Sequence, residues 1–276
     1  MSIESRAGLL SFLAAWATLF AQVAVHRLVS AKMLNNYAFF ILSLTMLGFA
    51  ASGAWLARRP ERIASWSPQL LASGSCLFGL GLVVATAIFY PAPSVEDLSV
   101  VSRPAFVLAF LSCVPLGLLY SVAFAGSGLV LGLLLSSPTL DTRRLYFLDL
   151  VGSAFGAVSV LPILSLIGAE RAAMVAGLAL LLGTWLLFPP PAGWVRRACL
   201  LAAAVLVGAL AFPDLAFRLR YPRQSPLGRT ATGDPRYVLE HVAWDGIARI
   251  EVSTTAPPDP DRTPWPALFG PDREML

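Results

Sequence analysis

The sequence predicts an all-α integral membrane helix bundle of about seven transmembrane helices, with a small C-terminal β-hairpin tail. Hydrophobic residues make up 57% of the chain and charged residues only 13%, whereas soluble domains carry roughly 25% charged residues. The apolar residues form blocks of about 20, the length that crosses a hydrocarbon core roughly 30 Å thick as a helix. The blocks lack the alternation of barrel strands, so each is predicted to be a helix.

The apolar blocks predict spans at residues 7–25, 37–56, 70–90, 105–135, 145–167, 172–188 and 199–212. The fourth block has 31 residues, which is too long for one untilted helix and too short for two helices and a turn. Pro115 is expected to kink it. The choice between one kinked helix and two helices stays open.

The chain divides near residue 213, where apolar sequence gives way to polar, proline-rich sequence. Residues 1–213 are predicted to form the transmembrane helical domain, and residues 214–276 a soluble tail. Arginines in the earlier loops favour a tail outside the cytoplasm, but arginines that follow the last span favour a cytoplasmic tail. The side of the membrane on which the tail lies therefore stays open.

The charged, cysteine and histidine residues exclude several function classes. The net charge is +4, but the arginines stand beside apolar blocks and not along one soluble face, so no nucleic-acid binding is predicted. Cys76, Cys113 and Cys199 lie in apolar segments without metal-site spacing and are interpreted as buried packing residues. His26 and His241 stand without neighbouring ligands, so no metal site is predicted.

The tail contains one readable element. Strand-like runs at 236–244 and 247–254 flank Asp245 and Gly246, a strong signal for a two-residue hairpin turn. An isolated hairpin is marginally stable in water. The tail is therefore interpreted as the start of an incomplete domain, whose hairpin pairs with a catalytic domain or a partner chain.

Two stretches resemble the membrane-anchored relatives of spermidine synthase, the polyamine aminopropyltransferase-like proteins with an N-terminal multi-helix region. The run YFLDLVGSAFG at 146–156 is similar to that family's Y-x-x-D-L-x-G-[SA]-x-x-G helix. The run WDGIARIEV at 244–252, with Trp244, Asp245, Gly246 and Arg249, looks like the family's hairpin segment. SPLG at 225–228, ahead of the hairpin, belongs to the same second stretch, and weaker similarity is found in QVAVHR at 22–27.

The resemblance implies a role in polyamine biosynthesis at the bacterial inner membrane. In the family, the hairpin leads into a Rossmann-like transferase domain that binds decarboxylated S-adenosylmethionine and a polyamine. No glycine-rich strand-loop-helix unit follows Val252 here. The cofactor is therefore implied only for that further domain, no catalytic or cofactor-binding residue is assigned, and the chain alone is expected to be inactive.

Asp149 is the most informative single residue, because a carboxylate at membrane depth costs several kcal/mol on insertion scales. One interpretation is that Asp149 lies one turn inside its helix, near Arg143 and Arg144, and anchors that end. The functional alternative pairs it with polar residues of other helices around a small-molecule cavity. The candidates for that intramembrane polar site are Asp149, Gln22, Tyr120 and Ser121.

Two GxxxG pairs predict close helix packing: Gly128 with Gly132, and Gly152 with Gly156.

The sequence leaves three hypotheses for the function of the chain. The first is a membrane-embedded anchor or polyamine- or lipid-sensing domain of a spermidine synthase-like protein. The second is a small transporter or permease component with a cation or lipid site near Asp149. The third is an assembly partner whose hairpin completes the sheet of a separate enzyme chain. The expected partners of the helices are the lipid bilayer and, in a homo-oligomer, further copies of the chain.

Overall fold

The computed structural model describes residues 1–32, 35–59, 61, 67–89, 103–191, 193–212, 237–244, 249–255 and 273–275. It describes side chains as far as residue 212, except at residues 32, 35–37, 103–110 and 112.

Within the described residues, seven helices follow one another: α1 (Ile3–Lys32), α2 (Asn35–Ala57), α3 (Pro68–Phe89), α4 (Arg103–Leu135), α5 (Thr142–Ile167), α6 (Ala169–Leu187) and α7 (Trp194–Ala211). Each of these helices contains a stretch that is long and apolar enough to cross a membrane. The predicted helical class, with about seven spans, is therefore confirmed for the described part of the chain.

Contacts between helices give the direction of each. Helices α1 and α2 run antiparallel, as do α3 and α4, whereas α1 and α5 run parallel. The contacts that fix these directions are Gln22–Met46 and His26–Phe39, then Phe78–Phe124 and Thr86–Tyr120, and finally Phe12–Phe155 and Trp16–Ser159.

The core lies where α1 and α4 meet their neighbours. Helix α4 packs mainly on α2 and α3, and α1 mainly on α5 and α6. Large side chains fill the space between these helices, and Phe20, Phe78, Tyr120 and Phe124 are fully buried. The ring of Phe78 meets Phe124 edge-on, with 5.7 Å between centroids. This part of the bundle interior is therefore packed with side chains.

The structure shows that the fourth block is one helix, and it extends helices such as α1 (Ile3–Lys32) and α7 beyond their predicted apolar spans. Helix α4 is one continuous helix with Pro115 inside it. Helix α7 begins at Trp194, ahead of the predicted start at residue 199. The reason is that Trp194, Arg196 and Arg197 are interfacial or charged residues. Such residues extend a helix beyond its apolar block without contributing to the hydrophobic signal.

Helices α5 and α6 are joined through a single residue, Gly168, which caps both. Its φ of 81° and ψ of 163° lie in a region that is essentially restricted to glycine. Its N–H donates to the Leu164 carbonyl at 2.9 Å, which satisfies one of the carbonyl groups that a helix end leaves open. The chain thus reverses direction within one residue.

The described C-terminal residues form the strands β1 (Tyr237–Trp244), β2 (Arg249–Thr255) and β3 (Arg273–Met275). The strands are antiparallel in the order β1-β2-β3, and Trp244 stands opposite Arg249. The sequence pattern did not predict β3. Asp245 and Gly246, the predicted turn, lie outside the described residues, so the predicted hairpin turn stays a prediction.

We expect Gly168→Ala to lower the free energy of unfolding by about 1–3 kcal/mol, because a Cβ atom is strained at this φ and ψ. The measurement is reversible unfolding in detergent followed by tryptophan fluorescence. The matched control is Gly208→Ala, since Gly208 lies inside α7 where a Cβ atom would meet nothing within 4 Å. A Gly168→Ala protein as stable as the control would contradict this account of the turn.

Candidate functional site

Helix α5 carries the most specific sequence motif, and its start is fixed by Asp141. This residue has extended backbone angles and its carboxylate accepts from the N–H groups of Arg143 at 3.1 Å and Arg144 at 3.4 Å. Aspartate is a preferred N-cap, and its negative charge suits the positive end of the helix dipole. Sequence reasoning missed Asp141, although an aspartate just before an apolar helix is a readable signal.

Asp149 lies in the first half of α5, and its side chain is half-buried. Its neighbour Leu148 reaches α1, where its Cδ1 atom lies 2.8 Å from the position of a Cβ atom built on Gly8. Since Gly8 is near the start of α1, Asp149 lies near the ends of both helices. Its distance from Thr142, the first residue of α5, is about 10 Å at 1.5 Å per residue.

Gln22 lies at a different depth in the bundle from Asp149. A Cβ atom on Gly156 would be 3.3 Å from the Trp16 Cα atom, so these two residues share a level in the parallel pair α1 and α5. Gln22 lies beyond this level and Asp149 before it, which separates them along the bundle by about 20 Å. The Nε2 atom of Gln22 instead lies 2.7 Å from Met46 Sδ on α2.

The two predicted polar residues of α4 also have their own partners. Tyr120 is fully buried, and its hydroxyl lies 3.3 Å from Thr86 Oγ1 on α3. Ser121 Oγ donates a hydrogen bond to the Leu44 carbonyl on α2. Gln22, Tyr120 and Ser121 therefore have partners in three different helix pairs, α1–α2, α3–α4 and α2–α4. Gln22 is also separated from Asp149 in depth, and a polar site at Asp149 stays a prediction.

The glycines of α5 bring it against the backbone of α1. A Cβ atom on Gly156 would be only 2.7 Å from the Trp16 carbonyl oxygen, and one on Gly152 would overlap the Phe12 carbonyl. Between the same helices, Trp16 Nε1 donates to Ser159 Oγ at 2.9 Å. Close backbone approach and a direct hydrogen bond thus join α1 and α5.

The second glycine pair lies between α4 and α2. A Cβ atom on Gly128 would be 3.1 Å from Phe49 Cα, and one on Gly132 would be 2.6 Å from Leu56 Cδ1. A further close approach joins α4 and α3, where a Cβ atom on Gly126 would be 2.5 Å from the Phe78 nitrogen.

A metal ion bound in the described part of the chain would require a group of ligand side chains close together. There, no group of three His, Cys, Asp or Glu residues is placed to hold a metal ion. Of the residues in the hairpin motif, Trp244 and Arg249 lie at the paired ends of β1 and β2, whereas Asp245 and Gly246 lie outside the described residues. The structure therefore places only Trp244 and Arg249 of this motif, as paired backbone positions.

No protein-family model, curated protein or solved structure matches this chain. The resemblance to spermidine synthase-like membrane proteins therefore stays a prediction that rests on the quoted residues.

We expect Gly152→Ala and Gly156→Ala each to lower the free energy of unfolding by about 1–3 kcal/mol, because the added methyl group meets backbone of α1 that cannot rotate away. The measurement is reversible unfolding in detergent. Gly53→Ala is the matched control, since a Cβ atom there would meet nothing within 4 Å. Equal stability of all three proteins would show that close approach of α1 and α5 is not required.

Proposed function

We propose that the chain is the membrane-anchor domain of a spermidine synthase-like protein of the bacterial inner membrane. The observation that supports this most is the use of the YFLDLVGSAFG motif in α5. Its glycines pack on α1, and its aspartate lies near a helix end, about 20 Å in depth from Gln22. A motif used in this way stabilises a bundle and does not by itself form a substrate site.

The arrangement of polar groups favours an anchor over a transporter. Transporter sites lie near the middle of the bilayer between discontinuous helices. Here α4 continues through Pro115, and the buried Tyr120 and Ser121 are bonded to separate neighbouring helices. A mobile gate at this position would have to break those contacts.

The tail is proposed to pair with the transferase domain of such a protein. Strand β1 lies against α5, the helix that carries the first resemblance motif. In the family, a hairpin of this kind precedes the domain that binds decarboxylated S-adenosylmethionine and a polyamine. The chain would thus hold that chemistry at the membrane surface, and any polyamine or lipid sensing would be transmitted through α5 and β1.

A second candidate function is favoured by the order of the strands. With the order β1-β2-β3, β1 and β3 are the edges of this sheet, and an edge strand accepts a further strand through its backbone groups. The tail would then complete the sheet of a separate enzyme chain.

A fusion protein tests the anchor proposal. The full chain is joined to the catalytic domain of a soluble spermidine synthase that has lost its own N-terminal hairpin. We expect membrane-bound aminopropyl transfer, because strands β1 and β2 would replace the missing hairpin. In the control fusion the chain ends after Ala211, and we expect at least a tenfold lower activity (about 1.4 kcal/mol). Equal activity of the two fusions, or an inactive but folded full fusion, would overturn the proposal.

A transport assay tests the alternative hypothesis that the chain is a transporter or permease component. We expect proteoliposomes containing the chain to take up labelled putrescine and spermidine no faster than protein-free liposomes, with and without an ion gradient. Asp149→Asn should leave this rate unchanged. Uptake by the wild-type chain that Asp149→Asn abolishes would instead establish a transporter with a site at Asp149.

A further inference from the structure

Helices α3 and α7 place two of the three cysteines side by side. The Sγ atoms of Cys76 and Cys199 lie 3.1 Å apart. Both residues are buried, with 8% of Cys76 and 2% of Cys199 exposed. Both side chains carry free thiols in this structure.

The pairing follows from the way α7 packs. Its buried residues form a single stripe with alternating spacings of four and three residues, the pattern of a helix seam. These residues are Val195, Cys199, Ala202, Leu206 and Ala209. Leu206 lies over Gly79 of α3, where a Cβ atom would be 2.8 Å from its Cδ1 atom. Cys76 contacts Cys199, and Gly79, further along α3, contacts Leu206, further along α7. The two helices are therefore parallel, and the two thiols lie at the same depth.

A second interaction holds α3 in this rotation. Ser75, next to Cys76, donates to the Leu71 carbonyl at 3.0 Å, and its Oγ atom lies 2.7 Å from Thr184 Oγ1 on α6. Ser75 thereby faces α6, while Cys76 faces α7. The proximity of the thiols is therefore a consequence of two helix contacts of α3.

We propose that Cys76 and Cys199 are an oxidative modification site, at which a disulfide fastens α7 to α3. In this step both thiols lose their hydrogens and a sulfur–sulfur bond forms. The two electrons and two protons pass to a lipid-soluble quinone, which becomes the quinol. A quinone is the fitting class of oxidant because it partitions into the apolar surroundings of these helices.

The disulfide would cross-link α7, the last described helix before the tail, to α3. It closes a chain segment whose ends are 123 residues apart. A cross-link of this length removes much of the freedom of the unfolded chain. Oxidation would therefore keep α7, and the segment that follows it, attached to the bundle, and reduction would release that constraint.

The test counts reactive thiols in the full chain in nanodiscs, after treatment with a short-chain benzoquinone and removal of the reagent. The quinone ring is fully substituted, so that no ring position is free to add a thiol. The protein is denatured and labelled with a maleimide polymer that shifts its gel mobility. We expect the untreated chain to be labelled at all three cysteines and the oxidised chain only at Cys113. The oxidised chain should also have lost the mass of two hydrogens and should melt at a higher temperature.

Single variants make the assignment specific. Cys113→Ser should lose all labelling after oxidation and regain it with a dithiol reductant. Cys76→Ser and Cys199→Ser should keep both remaining labels and show no rise in melting temperature. Full labelling of the quinone-treated wild-type chain, or loss of labels in Cys76→Ser, would overturn the proposal. The wild-type measurement is decisive even where a variant fails to fold.

Discussion

Direct approach of helix backbones is the constraint on which the rest of this structure depends. Between membrane helices there is no hydrophobic driving force, since lipid tails are as apolar as leucine, and association relies on close packing. The close contacts occur at glycines, with Gly152 and Gly156 against α1, Gly128 against α2 and Gly126 against α3. Through these contacts α1 and α4 each become the centre of a group of helices, and α1 also contacts α4 and α2.

Such close packing also determines how polar side chains are accommodated. Where backbones touch, there is little room for a shared polar network, so hydroxyl groups bond within their own helix or to one neighbour. Ser75 and Ser127 donate to carbonyls of the preceding turn, a local pattern available to serine in any helix. Ser121 and Tyr120 each reach one other helix. These hydroxyl groups thus find their partners within one helix or between two neighbouring helices.

The sequence predicted the helices because length and composition alone decide membrane spans, but it could not predict their arrangement. Gly152 and Gly156 were expected to pack, yet nothing in one sequence indicates that α1 is their partner. The proposed cluster of Asp149 with Gln22 needed both at one depth, and the parallel pairing of α1 and α5 separates them instead. Cys76 and Cys199 were interpreted as separate packing residues, because contacts between distant segments leave no local pattern.

The positions of the motif residues on α5 account for several of the residue types found there. Tyr146, Phe147, Leu150 and Phe155 are exposed large side chains suited to lipid, whereas Gly152 and Gly156 are buried against α1. Asp149 is half-buried in the first half of the helix, and the cost of a carboxylate falls toward the membrane surface. The exposed aromatic residues, the buried glycines and the shallow aspartate of the motif therefore fit lipid contact and helix packing. An anchor requires these properties of α5, whereas a transport site would also require partners for Asp149 at its own depth.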